Sequence, residues 1–487
     1  MIRPEPVPDL DWDAGRAREL TGAMLDLWCE LLDRMGELPV SRPLDAAGVA
    51  RAAALPVPEQ PLSVPELAGL LRPLVLEHST LCGHPGFMAY VSGSGTVPGA
   101  AADLLAAGFN PNVGGWTLSP AATELELHLM RWLAGQFGLP AGAGGLMTSG
   151  GAASNLTALK AARDARTEGD VRRDGVGGLQ LVLYASAEAH ATIAEAADML
   201  GLGERAVRAI ATDDGYRMRI DDLRRAVADD LAAGMHPFAV VATAGTTATG
   251  AIDPLPDVAD LCAEHNLWLH VDAAYGGAAA LAPELRPLLR GIDRADSIAF
   301  DPHKWLYTPQ SSACLLARDP RSLLRSYSID AAYVRDDASL SGRGTNIGEL
   351  GPQWSRAFLA LKVWLSLAAH GTEAYGRRIA HDVELARYLD RRVREHPDLE
   401  PMCPVTLSIA CFRYAPEAAA LDPAGLDALN ERLMVAIRRD GRAFPSNAEL
   451  GGRYCLRACL VNHRTEARDI DALIDATVEL GTRLLAG

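Results

Sequence analysis

Five short apolar runs, Leu179 to Leu183, Ala239 to Thr243, Leu267 to Asp272, Ser297 to Phe300 and Ala313 to Ala317, alternate with stretches of helical patterning. This alternation constrains the fold more than any other feature of the chain. It predicts an α/β layer built on a mostly parallel sheet. A helix expected at the start of this region takes Ser119 as its N-cap and Pro120 as its first residue.

Two of the runs end on charged groups. Leu267 to Ala273 is apolar until it delivers Asp272, and Ser297 to Phe300 leads into Asp301-Pro302-His303-Lys304-Trp305. A lysine at the end of a buried strand is costly unless its amine has a task, and Schiff-base formation with an aldehyde cofactor is one that removes the charge. A buried carboxylate that keeps a pyridine nitrogen protonated is the natural complement. Taken singly, Asp272 also reads as a cap or turn former and Lys304 as a solvated strand end. The interval between them admits a loop, a crossover and a second strand, so both can emerge at strand C-termini.

Ser149-Gly150-Gly151-Ala152 runs into a helical stretch, Leu156 to Arg163. Glycines there let the backbone approach a phosphate, and the helix N-terminus offers free N–H groups; an ordinary helix start is the alternative. No Walker-type Gly-Lys-Ser/Thr and no Gly-x-Gly-x-x-Gly accompanies it. His190, in Tyr184 to His190, can stack on a flat ring and act as an acid or base near neutral pH, or be a loop or cap residue.

The ordered set Thr-Ser-Gly-Gly-x-x-Ser-Asn (Thr148 to Asn155), Tyr-Ala-Ser-x-x-x-His (Tyr184 to His190), Gly245 to Thr247, His270 to Tyr275 and Asp301 to Trp305 resembles the group II pyridoxal phosphate-dependent amino acid decarboxylases. That family includes the aromatic L-amino acid, histidine and glutamate decarboxylases. The likeness extends to His84 to Tyr90, Trp116 to Glu126 and Arg356 to Trp364. It implies an aspartate aminotransferase-like, fold type I architecture and pyridoxal 5′-phosphate as cofactor. It implies that Lys304 forms the internal aldimine, Asp272 pairs with the ring nitrogen, and His190 and Ala274 sandwich the ring. Thr247 would lie beside the ring, while Gly151, Ala152, His303 and Ser149 fall where the family binds phosphate. Asp301 is grouped with them, although a carboxylate repels phosphate unless it faces away. No metal is expected, since no His-Glu-x-x-His or paired cysteine motif is present.

Three units are expected: an N-terminal helical arm over residues 1–85, a large cofactor-binding domain over 86–375 and a small C-terminal α/β domain over 376–487. The arm carries Met24, Leu25, Trp28, Leu31 and Leu32 at helical spacing and wants a partner surface. In the resembled family this segment wraps a second subunit, which implies a homodimer. A net charge of −16 disfavours nucleic acid or an anionic membrane as partner, and no apolar run approaches a membrane span. The start is not a secretory signal, and the eight scattered cysteines suit reduced thiols in the cytoplasm.

Ser326 to Gly351 is polar and long for a connection, and is expected to cover the active site. Within it, Tyr333 matches the family tyrosine that returns a proton to the α-carbon. The chemistry implied is decarboxylation of an L-amino acid, an aromatic one favoured, to its amine. Rival readings are an aldehyde synthase or aminotransferase on the same scaffold, a decarboxylase of acidic or aliphatic amino acids, and a non-catalytic cofactor-binding regulator. In the family a Phe in place of the lid tyrosine or an Asn in place of the stacking His accompanies oxidative deamination, so Tyr333 and His190 favour the amine. Gly371 matches a position where plant relatives use Gly with indolic substrates, leaving space for a large ring, and Ser92-Gly93-Ser94-Gly95 replace bulkier residues of the aromatic decarboxylases, so the pocket is expected to differ from theirs.

Overall fold

The computed structural model describes residues 10–43, 45–167, 169–329 and 344–486. Their twelve strands form two sheets. In the larger sheet β2 (Gly144–Thr148), β3 (Leu181–Ser186), β4 (Val207–Ile210), β5 (His236–Thr243), β6 (Trp268–Asp272), β7 (Ser297–Phe300) and β8 (Ala313–Ala317) lie in the order β2-β8-β7-β6-β5-β3-β4. From β7 through β6, β5 and β3 to β4 every pairing is parallel. Only β8 runs against its neighbours β2 and β7. The runs at β6, β7 and β8 match these strands to within a residue at each end. Leu179 to Leu183 differs, continuing to Ser186 because Tyr184, Ala185 and Ser186 are buried as well. Ala239 to Thr243 begins earlier, at His236, where the ladder to Leu181 of β3 already pairs the backbone.

Both faces of this sheet are covered, so alternate residues of each strand enter different cores. Leu269 and Val271 of β6 join the core on one side, while Trp268 packs with Leu159 and Ala162 of the helix Gly151–Arg166 on the other. Trp268, His270 and Asp272 therefore share the face that this helix covers.

The smaller sheet has the order β1-β11-β12-β10-β9, with β1 (Phe87–Met88), β9 (Leu399–Pro401), β10 (Ile409–Tyr414), β11 (Phe444–Leu450) and β12 (Arg453–Cys459). The helices Thr372–Glu395, Pro423–Asp440 and Ala467–Ala486 pack on it through Leu389, Leu433, Leu473 and Ile474. Phe87 and Met88, expected with the large unit, pair in parallel with β11. The chain thus touches the smaller layer before entering the larger one. No helix among the described residues is long and apolar enough to cross a membrane.

Ahead of both sheets lie the helices Ala14–Arg34, Ala46–Ala53 and Val64–Leu76. The first buries none of its side chains fully, despite its apolar stripe. The helix Pro120–Gln136 starts where expected, with Ser119 at its N-cap position, but the Ser119 hydroxyl makes no capping bond and donates to the Asn112 carbonyl at 2.9 Å instead. A buried Glu126–Arg356 pair ties this helix to β2, since Met147 N–H donates to Glu126 and Arg356 donates to the Met147 carbonyl. The strand leading to the glycine loop is fixed by that clamp.

Candidate active site

The C-terminal ends of β6, β5 and β7 and the N-terminus of the helix Gly151–Arg166 enclose a cleft of about 250 Å³. It is lined by Gly151, Ala152, His190, Thr247, Asp272, Ala274, Asp301, His303 and Lys304, together with Asn155 and Thr192. A crevice outside the carboxyl ends of parallel strands is where an α/β sheet binds ligands. Of the residues singled out in the sequence, Ser149 is exposed and does not line the cleft. Tyr333 lies outside the described residues.

Lys304 sits on a single helical turn, Pro302–Trp305, directly after β7. The turn is anchored from behind. Trp305 stacks on Tyr275 at 5.1 Å, and Trp305 Nε1 and Tyr307 OH donate to Asp382 at 2.9 and 2.6 Å. Gly93 presses on its front: a Cβ there would lie 2.4 Å from the Lys304 carbonyl and 2.5 Å from that of His303. Gly93 is thus required by packing against the Lys304 turn. Gly371 is likewise accounted for by backbone, breaking the helices Leu359–His370 and Thr372–Glu395 with a φ of +77°.

Burial alone would lower the Lys304 amine's pKa, but the Asp301 and Asp272 carboxylates outweigh it and raise it. The Lys304 ammonium lies 3.0 Å from Asp301 Oδ2. Burial pushes the His303 pKa down, against the opposing pull of the Asp301 carboxylate.

Asp272 is held by a row of donors. Ala274 N–H donates to Oδ1 at 3.1 Å and Asn155 Nδ2 to Oδ2 at 3.0 Å. A carboxylate only accepts, so Asn155 turns its Oδ1 towards His270 Nε2, 2.9 Å away. Burial pushes the His270 pKa down to about 4, and the neutral ring therefore carries its proton on Nε2. Its Nδ1 then accepts from Ser297 Oγ at 2.8 Å, and that oxygen accepts from Trp268 Nε1 at 2.8 Å. Every hydrogen in the chain points towards Asp272. His270 and Asn155 lie inside motifs visible in the sequence, yet nothing in those motifs marks either as a support for Asp272. The period-two spacing of Trp268, His270 and Asp272 is the available signal, since it sets all three on one buried face.

On the open side, His190 Nδ1 lies 3.0 Å from Thr192 Oγ1, which also accepts from Asn155. The residues present fit pyridoxal phosphate: a buried, donor-supported carboxylate at one end of the cleft, a lysine amine within it, and a side-chain-free helix start at the other end. A Cβ on Gly151 would come within 2.9 Å of Asp301 Oδ2, so a side chain there would crowd this cradle.

Residues 49–415 match the family model described as the pyridoxal-dependent decarboxylase conserved domain. The aromatic-L-amino-acid decarboxylase of Bacillus atrophaeus is 34% identical over 463 residues, covering 95% of each chain. A phenylacetaldehyde synthase of a Rosa hybrid cultivar is 34% identical over 400 residues, 79% of this chain and 78% of that protein. The crystal structure of Oryza sativa TDC with PLP and tryptamine superposes with a TM-score of 0.91 at 30% identity, covering 98% of this chain and 99% of that one.

Proposed function

The chain belongs to the pyridoxal-dependent decarboxylases and uses pyridoxal 5′-phosphate, and from that premise we propose that it converts an aromatic L-amino acid to the corresponding amine and carbon dioxide. The observation that carries the aromatic preference is the relative of that activity matched over 95% of both chains.

When bound, the cofactor supplies an aldehyde for the substrate's amine and a cationic ring that withdraws electrons from the α-carbon. Lys304 would hold the cofactor through its amine and release it to the incoming substrate. Asp272, fixed by Asn155 and the Ala274 N–H, would keep the proton on the ring nitrogen. His190 would cover one face of the ring and Ala274 the other, orienting the α-carboxylate across the ring plane. Gly151, Ala152 and His303 would receive the phosphate, with Thr247 beside the ring. His190 and Tyr333 would deliver a proton to the α-carbon. Ser149 has no support from its position.

The aldehyde-forming reading stays open because a phenylacetaldehyde synthase is equally identical over a shorter span. We also infer a homodimer, supported by the apolar stripe that the helix Ala14–Arg34 leaves incompletely buried.

The holoenzyme should release carbon dioxide from tryptophan, tyrosine, phenylalanine or their hydroxylated forms, with amine as the organic product. Release only from acidic or aliphatic amino acids would overturn the substrate assignment; aldehyde with ammonia and peroxide would overturn the product. Lys304→Ala should abolish turnover with unchanged circular dichroism. Tyr333→Phe should move the product from amine towards aldehyde under air.

A further inference from the structure

Asp301 occupies the cradle itself. Its side chain is buried at 1% exposure, with Oδ2 3.0 Å from Lys304 Nζ and 3.8 Å from His303 Nε2. The same oxygen lies 2.9 Å from where a Gly151 Cβ would stand. Gly151 and His303 are among the groups that would receive the phosphate, so the carboxylate stands where a phosphate oxygen would. Its other oxygen, Oδ1, is buried without a hydrogen-bond partner among the described residues. The main chain cannot carry the group away, since Asp301 N–H donates to the Ala274 carbonyl at 3.1 Å and the Asp301 carbonyl accepts from Lys304 N–H at 2.9 Å. Only side-chain rotation is free.

We propose that Asp301 is an internal anion that competes with the cofactor's phosphate for the cradle at Gly151 and His303, stabilising the cofactor-free protein through its Lys304 ion pair and weakening its hold on pyridoxal phosphate. This rests on the cofactor reading above and adds to it. Two negative groups within a few ångströms repel strongly in a site shielded from water. In the free protein the same carboxylate pairs with the half-buried Lys304 ammonium at 3.0 Å. A residue with a purely structural role would support folding and cofactor binding together; this one sets them in opposition.

The test uses the whole chain stripped of cofactor, as wild type and as Asp301→Asn, which keeps shape and removes charge. Melting is followed with and without inorganic phosphate, and pyridoxal phosphate affinity by the visible absorbance it develops on binding. The stripped variant should melt lower than wild type. It should bind pyridoxal phosphate at least tenfold tighter, a difference of about 1.4 kcal/mol. It should also gain more melting temperature from phosphate. Unchanged or weaker binding of both ligands would overturn the proposal. Asp301→Ser serves if the amide folds poorly, with the same expected order of affinities. A wild-type protein that develops no absorbance with pyridoxal phosphate would defeat the cofactor reading instead, and the phosphate melting shift would still decide whether Asp301 blocks the cradle.

Discussion

At the scale of single residues, His270 illustrates how a buried polar row serves a neighbour. It touches no cleft surface, yet it fixes the orientation of Asn155 and through it Asp272. Asn155→Leu would leave the His270 N–H and one Asp272 oxygen unpaired. Each buried orphan costs about 1–3 kcal/mol. The variant should melt lower and lose at least about tenfold in kcat, the equivalent of one hydrogen bond of that size; wild-type kcat would show that Asp272 needs no support. His270 also sets an acid limit. Its pKa is pushed down to about 4 from the ordinary 6.5, so the unfolded chain takes up a proton that the folded one refuses between those values. Its contribution to stability is full above about pH 6.5 and is lost as pH falls towards 4, by about 3 kcal/mol in all. His270→Gln should flatten that part of the melting profile, and an unchanged slope would assign the acid sensitivity to other groups. Lys304 and Asp272 are legible in the sequence because a charge ending an apolar strand contradicts its surroundings. Asn155 and His270 are not, because a polar residue inside a motif carries no such contradiction until its partner across the layer is known.

At the scale of elements, the one-turn helix Pro302–Trp305 depends on what presses on it. Asp382 and Tyr275 hold its back, and the Gly93 backbone closes its front. Gly93→Ala would force backbone apart rather than a flexible side chain, because both near atoms are carbonyl oxygens. Overpacking of this kind costs about 1–3 kcal/mol. The variant should therefore melt lower and turn over more slowly, whereas Gly142→Ala, with nothing within 4 Å, should do neither. Equal melting of the two variants would free residue 93 to act as a pocket wall. Reading Gly93 only as a change in the pocket misses its packing role for a physical reason: a missing side chain looks the same whether it leaves room for a ligand or for another backbone. Strands are more legible than loops, since β6, β7 and β8 announce themselves by continuous apolar runs. β11, with exposed Asn447 and Glu449 between buried residues, gives a weaker signal.

At the scale of the whole molecule, the layer order follows from the alternation of strand and helix, which is why the fold class is legible in the apolar runs alone. What one chain cannot satisfy is equally informative. On the helix Val97–Phe109, Leu104, Leu105 and Phe109 are each more than three-fifths exposed, as is Leu118 beyond it. Apolar side chains of this size gain about 1.5–3 kcal/mol each on full burial, and grouped exposure on a folded protein marks an interaction surface. With the incompletely buried helix Ala14–Arg34, these residues supply the area that the inferred homodimer would cover. Light scattering should give a mass twice that of one chain, falling to a single chain in a Leu105→Asp, Phe109→Asp double variant. The double variant should stay folded, because neither residue belongs to a core. A wild-type protein that scatters as one chain at micromolar concentration would refute the dimer, and a double variant that remains dimeric would move the interface away from this helix.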